Sequence, residues 1–432
     1  MLEQEIVCSS CRLSPILMQQ AVLAAANKNA VGLERTMNII DKRQALAIVP
    51  LFRLAFRPFF LLGSLLAVSA ILLWVIFLTG GFVDWQPAGG WLAWHRHELV
   101  FGFATAIIAG FLLTAVQAWT GFPGLSGRPL IVLTLVWLTA RVAWLLDAPI
   151  WCVVVLDGAF LPLVAAQMAR SVWPGRQVRN YPLVLLLTLL AIANGITLYG
   201  VATTNDLLQR QATVGGVWFV AAIMGLIGGR VIPFFTRRGL LRTEAVAAWP
   251  VLDWALLAGT VLASITMLQG WAMQAQPVVG VLFAALGLGH LTRLLRWYDA
   301  GIWQVPLLWS LHMAYAWLAA ACCAMALWHF SVLAQMSIAV HALTVGAMGG
   351  LILAMIARVT LGHTGRPLQP PRSIAWAFVL LNCGALARVL LVNWATVPGL
   401  WIAAVCWSLS FAIYLWGYAS MLWRARVDGH PG

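Results

Sequence analysis

Apolar residues fill long, nearly uninterrupted stretches of the chain, and polar residues collect in the short segments between them. A stretch of about 20 apolar residues is long enough to cross the hydrocarbon core of a bilayer as an α-helix. The pattern predicts twelve such helices, whose ends are marked by proline, glycine, tryptophan or arginine. They are expected at residues 58–79, 92–118, 129–146, 149–170, 181–201, 212–235, 249–269, 275–296, 304–328, 332–358, 373–392 and 397–423.

Composition supports this interpretation, because 62% of the residues are hydrophobic and only 9% are charged. A soluble domain carries roughly 25% charged residues, so this chain cannot cover itself with a water-exposed surface. The net charge of +13 does not indicate nucleic-acid binding, since the charges lie in short loops between apolar stretches. The sequence therefore predicts an all-α, polytopic integral membrane protein whose surroundings are the lipid bilayer.

The basic residues predict which way the chain is inserted. Of the 26 lysine and arginine residues, all but four fall on the side of the chain termini. The exceptions are Arg96 and Arg210 in loops of the opposite side, and Arg141 and Arg388 within predicted helices. Because loops rich in lysine and arginine stay in the cytoplasm, both termini are expected there.

The chain divides into a polar and basic leader (1–49), a membrane domain (50–424) and a short cytoplasmic tail (425–432). No secretory signal opens the leader, and Met37 is an alternative start. Cys8 and Cys11 form a C-x-x-C pair, but the leader offers no further metal ligands or redox partners. The other cysteines lie in apolar stretches and are expected to be packing residues.

A weak repeat of four helices connects helices 2, 6 and 10. His97-Glu98-Leu99-Val100-Phe101-Gly102 in helix 2 resembles His341-Ala342-Leu343-Thr344-Val345-Gly346 in helix 10, and both helices are followed by Gly-Arg-Pro-Leu. Helix 6 carries a fainter copy, Thr213-Val214-Gly215-Gly216, with Arg210 near the histidine position. Chance similarity in glycine-rich apolar sequence is the alternative. A true repeat would make helices 2 and 10 equivalent partners that face each other.

Two histidines are predicted deep inside the bilayer. His341 lies about 14 Å from the outer end of helix 10, and His312 about 12 Å from the inner end of helix 9. Ionisable groups in a membrane span are costly, and two at nearly equal depth on consecutive helices favour metal or haem ligation. The alternative is a histidine hydrogen-bonded to a neighbouring helix. His329, at an outer helix end, is expected at the membrane interface.

Helix 2 opens with a second group of candidates, His95, His97 and Glu98. Positions two apart are rotated by about 200° on an α-helix, so the two histidines cannot serve one metal. The simplest division gives His97 to an interior cofactor, and His95 with Glu98 to a second metal or a proton path. The alternative is a solvated cluster at the outer edge.

Three further residues are cofactor-binding candidates. His290 precedes two arginines and could ligate haem iron, while the arginines hold the propionates; an ordinary basic helix end is an equal alternative. His363 lies in an inner loop, where binding and loop capping are equal alternatives. Arg388 has no obvious carboxylate nearby, so a haem propionate is its expected partner. Arg141 and Asp157 are expected to form a structural ion pair.

Seven groups of residues between 50 and 424 form a distinctive set of motifs. They are Phe56-Arg57-Pro58-Phe59-Phe60, Trp94-His95-Arg96-His97-Glu98, Leu113-Thr114-Ala115 with Trp119-Thr120-Gly121, Gly229-Arg230-Val231-Ile232-Pro233 with Phe235-Thr236, Leu311-His312-Met313-Ala314-Tyr315, His341-Ala342-Leu343-Thr344-Val345-Gly346, and Arg358-Val359-Thr360-Leu361-Gly362-His363-Thr364-Gly365-Arg366-Pro367. Together these motifs resemble one family, the NnrS proteins, over residues 50–424. Ala118, after Gln117, departs from the family's pattern, where asparagine is expected.

The resemblance implies a bacterial inner-membrane protein that carries haem and copper and is tied to nitric oxide metabolism and resistance to nitrosative stress. The family's histidine motifs fall on His95, His97, His312, His341 and His363. The first hypothesis is therefore a protein with haem, expected to be b-type, that binds and converts nitric oxide.

Reduction of nitric oxide to nitrous oxide would make the chain an oxidoreductase, with Glu98 as proton donor. The sequence shows no quinol site and no soluble electron-donor domain, so the electron donor is unknown. Two alternatives are a transporter of haem, copper or a nitrogen-oxide species, which the repeat favours, and a haem-based sensor or electron carrier.

Overall fold

Every regular element in the described part of the chain, residues 43–82 and 84–431 of the computed structural model, is a helix. Twelve of these helices are long and apolar enough to cross a membrane, which confirms the predicted fold class. They are α1 (Phe56–Leu78), α2 (Trp91–Thr120), α3 (Arg128–Leu145), α4 (Ile150–Val172), α5 (Val178–Ala202), α6 (Asp206–Gly239), α7 (Pro250–Leu268), α8 (Pro277–Trp297), α9 (Pro306–His329), α10 (Met336–His363), α11 (Arg372–Asn393) and α12 (Thr396–Trp423).

The membrane domain comprises residues 49–430, and residues 43–48 belong to a separate unit. Cys8, Cys11 and most of the predicted leader lie outside the described residues. The even number of spans places both ends of the membrane domain on one side, while the cytoplasmic location of that side stays a prediction.

Local sequence explains where helices begin and end. Pro250, Pro277 and Pro306 each open a helix, where the fixed proline φ suits the first turn and the missing N–H is not needed. Gly121 ends α2 with a positive φ of 75°, which glycine adopts without steric cost. Most predicted helix ends therefore agree with the structure to within four residues.

Two predicted ends are wrong by more. α6 starts at Asp206 rather than 212, because the Asn205 side chain accepts a hydrogen bond from the Leu208 N–H at 3.0 Å and caps a polar first turn. α10 continues to His363 rather than 358. At both ends the helix extends beyond the uniformly apolar stretch into residues that are partly polar.

The helices that carry the proposed repeat form the interior of the domain. α2 is the most enclosed of the twelve spans, and α6 and α10 follow it. α1, in contrast, is mostly exposed to the surroundings and packs against both α2 and α12. The chain thus closes on itself, with its first and last spans in contact.

A buried arginine reinforces this closure. Arg57, in the first turn of α1, donates to the backbone carbonyls of Leu422 at 3.0 Å and Arg424 at 2.7 Å. These carbonyls belong to the end of α12, where the last turn has no intrahelical donors. Trp407 of α12 donates to the Ala67 carbonyl of α1 at 2.9 Å. The two helices are therefore held together by side chain to backbone bonds as well as by apolar packing.

α2 and α10 share a further irregularity. A π-helical segment follows His97 directly (Glu98–Ala104), and another follows His341 directly (Ala342–Gly349). Such wide turns are rare and often lie at functional sites. The shared position agrees with the proposed repeat of α2 and α10, which otherwise stays a prediction.

Candidate functional site

Six helices enclose a cavity of about 420 Å³. Its walls come from the last part of α1 and α11 and from the first part of α2, α6, α10 and α12, so it opens at the end of the domain opposite the termini. We call this end the outer side and the cavity the outer cavity. Its volume lies in the range of small-molecule and cofactor sites. Its polar lining residues are His95, Arg96, Arg210, Thr213, Ser337, His341, Thr344 and Arg388.

His341 presents one free ring nitrogen to the outer cavity. Its Nδ1 lies 2.8 Å from the backbone carbonyl oxygen of Ser337, one turn earlier on α10. Because a carbonyl oxygen only accepts, Nδ1 carries the proton and Nε2 keeps its lone pair. Nε2 has no hydrogen-bond partner among the described residues. Metal-bound imidazoles are commonly oriented in this way.

His95 lies in the same cavity and makes no hydrogen bond through its ring within the described chain. The ring instead stacks on Trp74 of α1, with a centroid distance of 4.3 Å and an interplanar angle of 5°. Both histidines lie within the first two turns of their helices, and α2 and α10 run in the same direction. The outer cavity therefore holds two imidazoles with unused nitrogen atoms.

Arg388 adds a positive charge to the same space. Its guanidinium donates to Ser337 Oγ at 3.3 Å, and the described residues offer it no carboxylate. Ser337 Oγ also lies 3.1 Å from His341 Nδ1. Ser337 thus contacts both the imidazole and the guanidinium.

A second polar site, the buried polar cluster, consists of His97, Glu98, Arg141, Asp157 and Asn194, all at most 7% exposed. His97 contacts Glu98 Oε1 at 3.1 Å through Nδ1 and Asn194 Oδ1 at 2.9 Å through Nε2. Arg141 lies 3.3 Å from Glu98 Oε1 and pairs with Asp157. The predicted ion pair of Arg141 and Asp157 is confirmed, and it forms part of a larger network.

The profile of the family described as NnrS protein matches residues 50–426, nearly the whole chain. This chain belongs to the NnrS family. Membership confirms the resemblance and associates this multi-pass membrane protein with nitric oxide. A search of curated proteins found no match.

The structure distributes the family's histidines over four places. His95 and His341 meet at the outer cavity, and His97 lies in the buried polar cluster. His312 and His363 lie elsewhere and do not line the cavity. Glu98 is paired with His97 and not with His95, which is the reverse of the expected pairing.

His312 does not meet His341, contrary to the expectation drawn from their equal depth. Its Nδ1 lies 3.0 Å from the Leu308 carbonyl oxygen and its Nε2 lies 3.4 Å from that of Trp297. The two histidines are not level: His312 lies six residues from the inner end of α9, whereas His341 lies five residues from the outer end of α10. Gly350, nine residues beyond His341, is the α10 residue that packs against Ala314, beside His312. The alternative reading, a histidine bonded to neighbouring backbone, describes this NnrS residue better.

The other NnrS candidates are also separate. His290 Nδ1 lies 2.8 Å from the hydroxyl of Tyr315, and Arg293 donates to that hydroxyl at 2.9 Å. Arg293 also pairs with Asp253 at 2.8 Å, so this arginine already has a counter-charge and does not need a propionate. The His363 ring packs against Phe56.

His329 was expected at the membrane interface; it is the last residue of α9, and the interfacial position itself stays a prediction. The side chain is buried, its Nδ1 accepts from the Gln276 N–H at 3.1 Å, and its ring stacks on Phe283. Two residues of the outer cavity were missed by sequence reasoning. Ser337 could have been found, because it lies one helical turn before His341, whereas nothing in the sequence connects Trp74 with His95.

Proposed function

We propose that this NnrS-family chain is a haem protein of the bacterial inner membrane that binds nitric oxide at the outer cavity and takes part in its conversion. Resistance to nitrosative stress would follow from that activity. The observation that carries the proposal is the presence of two imidazoles with unused nitrogens, His95 and His341, in one apolar cavity.

The residues of the outer cavity fit a haem group. Histidine is a common ligand of haem iron, and a haem site also provides a largely apolar enclosure and cations for the propionates. His341, whose Nε2 is free, would hold the iron, His95 would line the group, and Arg388 would hold a carboxylate. The absence of a C-x-x-C-H motif agrees with b-type haem, which is not covalently attached. When bound, haem supplies an iron centre that takes up nitric oxide and exchanges electrons.

The chain's own residues orient this centre and keep water away from it. The Ser337 carbonyl fixes the tautomer of His341, and the indole of Trp74 fixes the plane of His95. Deeper in the cavity the lining is apolar, with Phe103 and Met348 among its residues. Nitric oxide is small and apolar, so it can reach such a site through the bilayer without a polar entry path.

Conversion of nitric oxide is the finer part of the proposal. Two molecules, two electrons and two protons give one nitrous oxide and one water. Glu98 is the proposed proton source, because its Oε2 has no hydrogen-bond partner in the described chain. It belongs to the buried polar cluster and does not line the outer cavity, so its proton would have to be relayed to the ligand. The electron donor stays unidentified.

Copper fits this arrangement less well. Ligand atoms of His97, Glu98 and Asp157 lie within 4.8 Å of one another, which is a suitable donor set for a metal ion. However, Arg141 already contacts both carboxylates, so a metal would have to displace it. We therefore assign no step to copper.

The test begins with the purified protein from haem-replete cells, its haem content and its Soret band with and without nitric oxide. We expect bound haem and a Soret shift. His95→Ala and His341→Ala should each lower haem content at least severalfold, whereas His312→Ala and His329→Gln should leave it near the wild-type value. Haem-free wild-type protein, or equal haem content in all four variants, would refute the proposal.

Two alternatives give different outcomes. Transport is favoured by the wide π-helical turns in two cavity-lining helices, since transporters often interrupt helices at the binding site. A transported haem would be lost on purification and not retained in stoichiometric amounts. A haem-based electron carrier would retain haem, but its spectrum would not respond to nitric oxide.

A further inference from the structure

Three of the four arginines that break the charge asymmetry of the sequence meet at one place. Arg96, Arg210 and Arg388 all line the outer cavity, and the fourth, Arg141, lies in the buried polar cluster. The positive-inside rule explains basic residues at the other end of the domain, but it opposes them here. Their convergence on one cavity therefore calls for a local reason.

The outer cavity changes from polar to apolar with depth. On α2, Arg96 lies five residues after the first residue, about 8 Å along the helix, and Phe103 lies twelve residues after it, about 18 Å. On α10, His341 and Met348 lie at comparable positions, about 8 Å and 18 Å from Met336. A ligand that fills this space has its polar groups at the outer rim and its apolar part near the middle of the bilayer.

Two of the rim arginines lack a counter-charge. Arg96 is paired with Asp206 at 2.5 Å and bonded to Gln209 at 3.0 Å. Arg388 bonds only to the neutral Ser337 hydroxyl, and Arg210 has no polar partner in the described chain. Arg388 is half-buried beside the apolar part of the cavity, where a guanidinium is costly unless an anion accompanies it, whereas Arg210 is exposed at the outer rim. The rim thus offers two separate cations to a ligand.

We infer that the outer cavity recognises an amphipathic dicarboxylate, inserted with its apolar edge inward and its carboxylates on Arg388 and Arg210 at the outer rim. This inference rests on the proposed haem function and specifies it: the two propionates point to the outer side, and the ligand enters from that side. Carboxylates suit this rim because guanidinium groups bind them with charge-assisted, often bidentate hydrogen bonds.

Paired ligands test the two carboxylates directly. Apoprotein in nanodiscs is titrated with haemin and with its dimethyl ester, which has the same ring and iron but no charge on the side chains. Binding is read from the Soret band and from quenching of tryptophan fluorescence. The wild type should bind haemin at least tenfold more tightly than the ester, since a hydrogen bond to a charged group is worth roughly a tenfold change or more in affinity.

Substitutions test whether the rim arginines cause the preference for haemin over its ester. Arg388→Gln and Arg210→Gln should each weaken haemin binding roughly tenfold while leaving ester binding nearly unchanged. Arg372→Gln is the matched control, because Arg372 is an exposed arginine at the other end of the same helix as Arg388. It should change neither affinity.

The outcomes separate this inference from the proposed function. Equal affinity for haemin and ester in the wild type overturns the inference while leaving haem binding intact, whereas no binding of either ligand defeats the proposed function itself. Nanodiscs with and without phosphatidylglycerol distinguish a lipid headgroup from a propionate. Competitive displacement of haemin by that lipid in the wild type, but not in Arg388→Gln, would assign the rim to lipid and overturn the inference.

Sidedness is tested separately. The orientation of the vesicles is first assigned by protease access to the chain termini. Haemin added to the face opposite the termini should quench tryptophan fluorescence faster than haemin added to the face of the termini, because the cavity opens opposite the termini. Faster quenching from the face of the termini would contradict entry from the outer side.

Discussion

Arg141 is the single cation between the two carboxylates of the buried polar cluster, and Arg141→Gln removes it. The side chains of Glu98 and Asp157 are only 1% and 2% exposed, so water cannot replace the lost charge. Removing one partner of a buried ion pair typically costs about 3–5 kcal/mol, because the remaining charge stays desolvated. We expect the variant to lose about that amount of unfolding free energy, although glutamine retains hydrogen-bond donors.

The measurement is equilibrium unfolding in mixed micelles with an increasing fraction of dodecyl sulfate, followed by circular dichroism. Arg242→Gln is the control, since Arg242 also forms a two-bond ion pair, with Asp299, but in a water-exposed loop. Exposed ion pairs contribute little to stability. The reasoning is refuted if Arg141→Gln destabilises the protein no more than Arg242→Gln does.

Three further predictions concern packing, capping and pH. Gly346→Ala places a methyl group against a tryptophan ring of α9 and should cost about 1–3 kcal/mol in the same assay, whereas Gly195→Ala, which meets open space, should not. Arg57→Gln leaves carbonyls at the end of α12 without donors and should lower the free energy of unfolding by about 1–3 kcal/mol. Proteolysis after α12 should also become faster, and unchanged stability would contradict the prediction. Hydrogen bonds from Arg242 lower the pKa of Asp299 below its usual 3.8. The contact between the two side chains should therefore persist at neutral pH and weaken only as the pH falls through the lowered value. Amide hydrogen exchange of the loop, compared between wild type and Asp299→Asn over this pH range, measures the weakening.

Most of the fold could be predicted from the sequence, because hydrocarbon length and backbone hydrogen bonding leave few options for an apolar stretch. The start of α6 was missed because a capped polar turn carries no hydropathy signal. The π-helical segments were missed for a related reason: their residues have the same composition as ordinary α-helix. Such features depend on how neighbouring helices pack.

The candidate site could be predicted only in part. Helical geometry alone indicated that His95 and His97 occupy different sites, and the structure places them so. The rotation of α2 relative to α1 and α6 determines which of the two histidines faces the cavity. A single sequence does not reveal that rotation. His312 fails to meet His341 for another reason: the two lie near opposite ends of α9 and α10, and the sequence does not fix how far neighbouring helices are shifted along their axes. His312 contacts backbone carbonyls instead.

The contact between α1 and α12 has a consequence for biosynthesis. The residues joined by the Arg57–Leu422 bond are 365 positions apart, so at 5–20 residues per second the partner of Arg57 emerges from the ribosome roughly 20–70 s later. During that interval the arginine must remain hydrated at the membrane surface or be shielded by an insertion factor. In a chain truncated before α12, Arg57 would permanently lack the carbonyl groups to which it donates. Quality-control proteases would be expected to degrade such a chain.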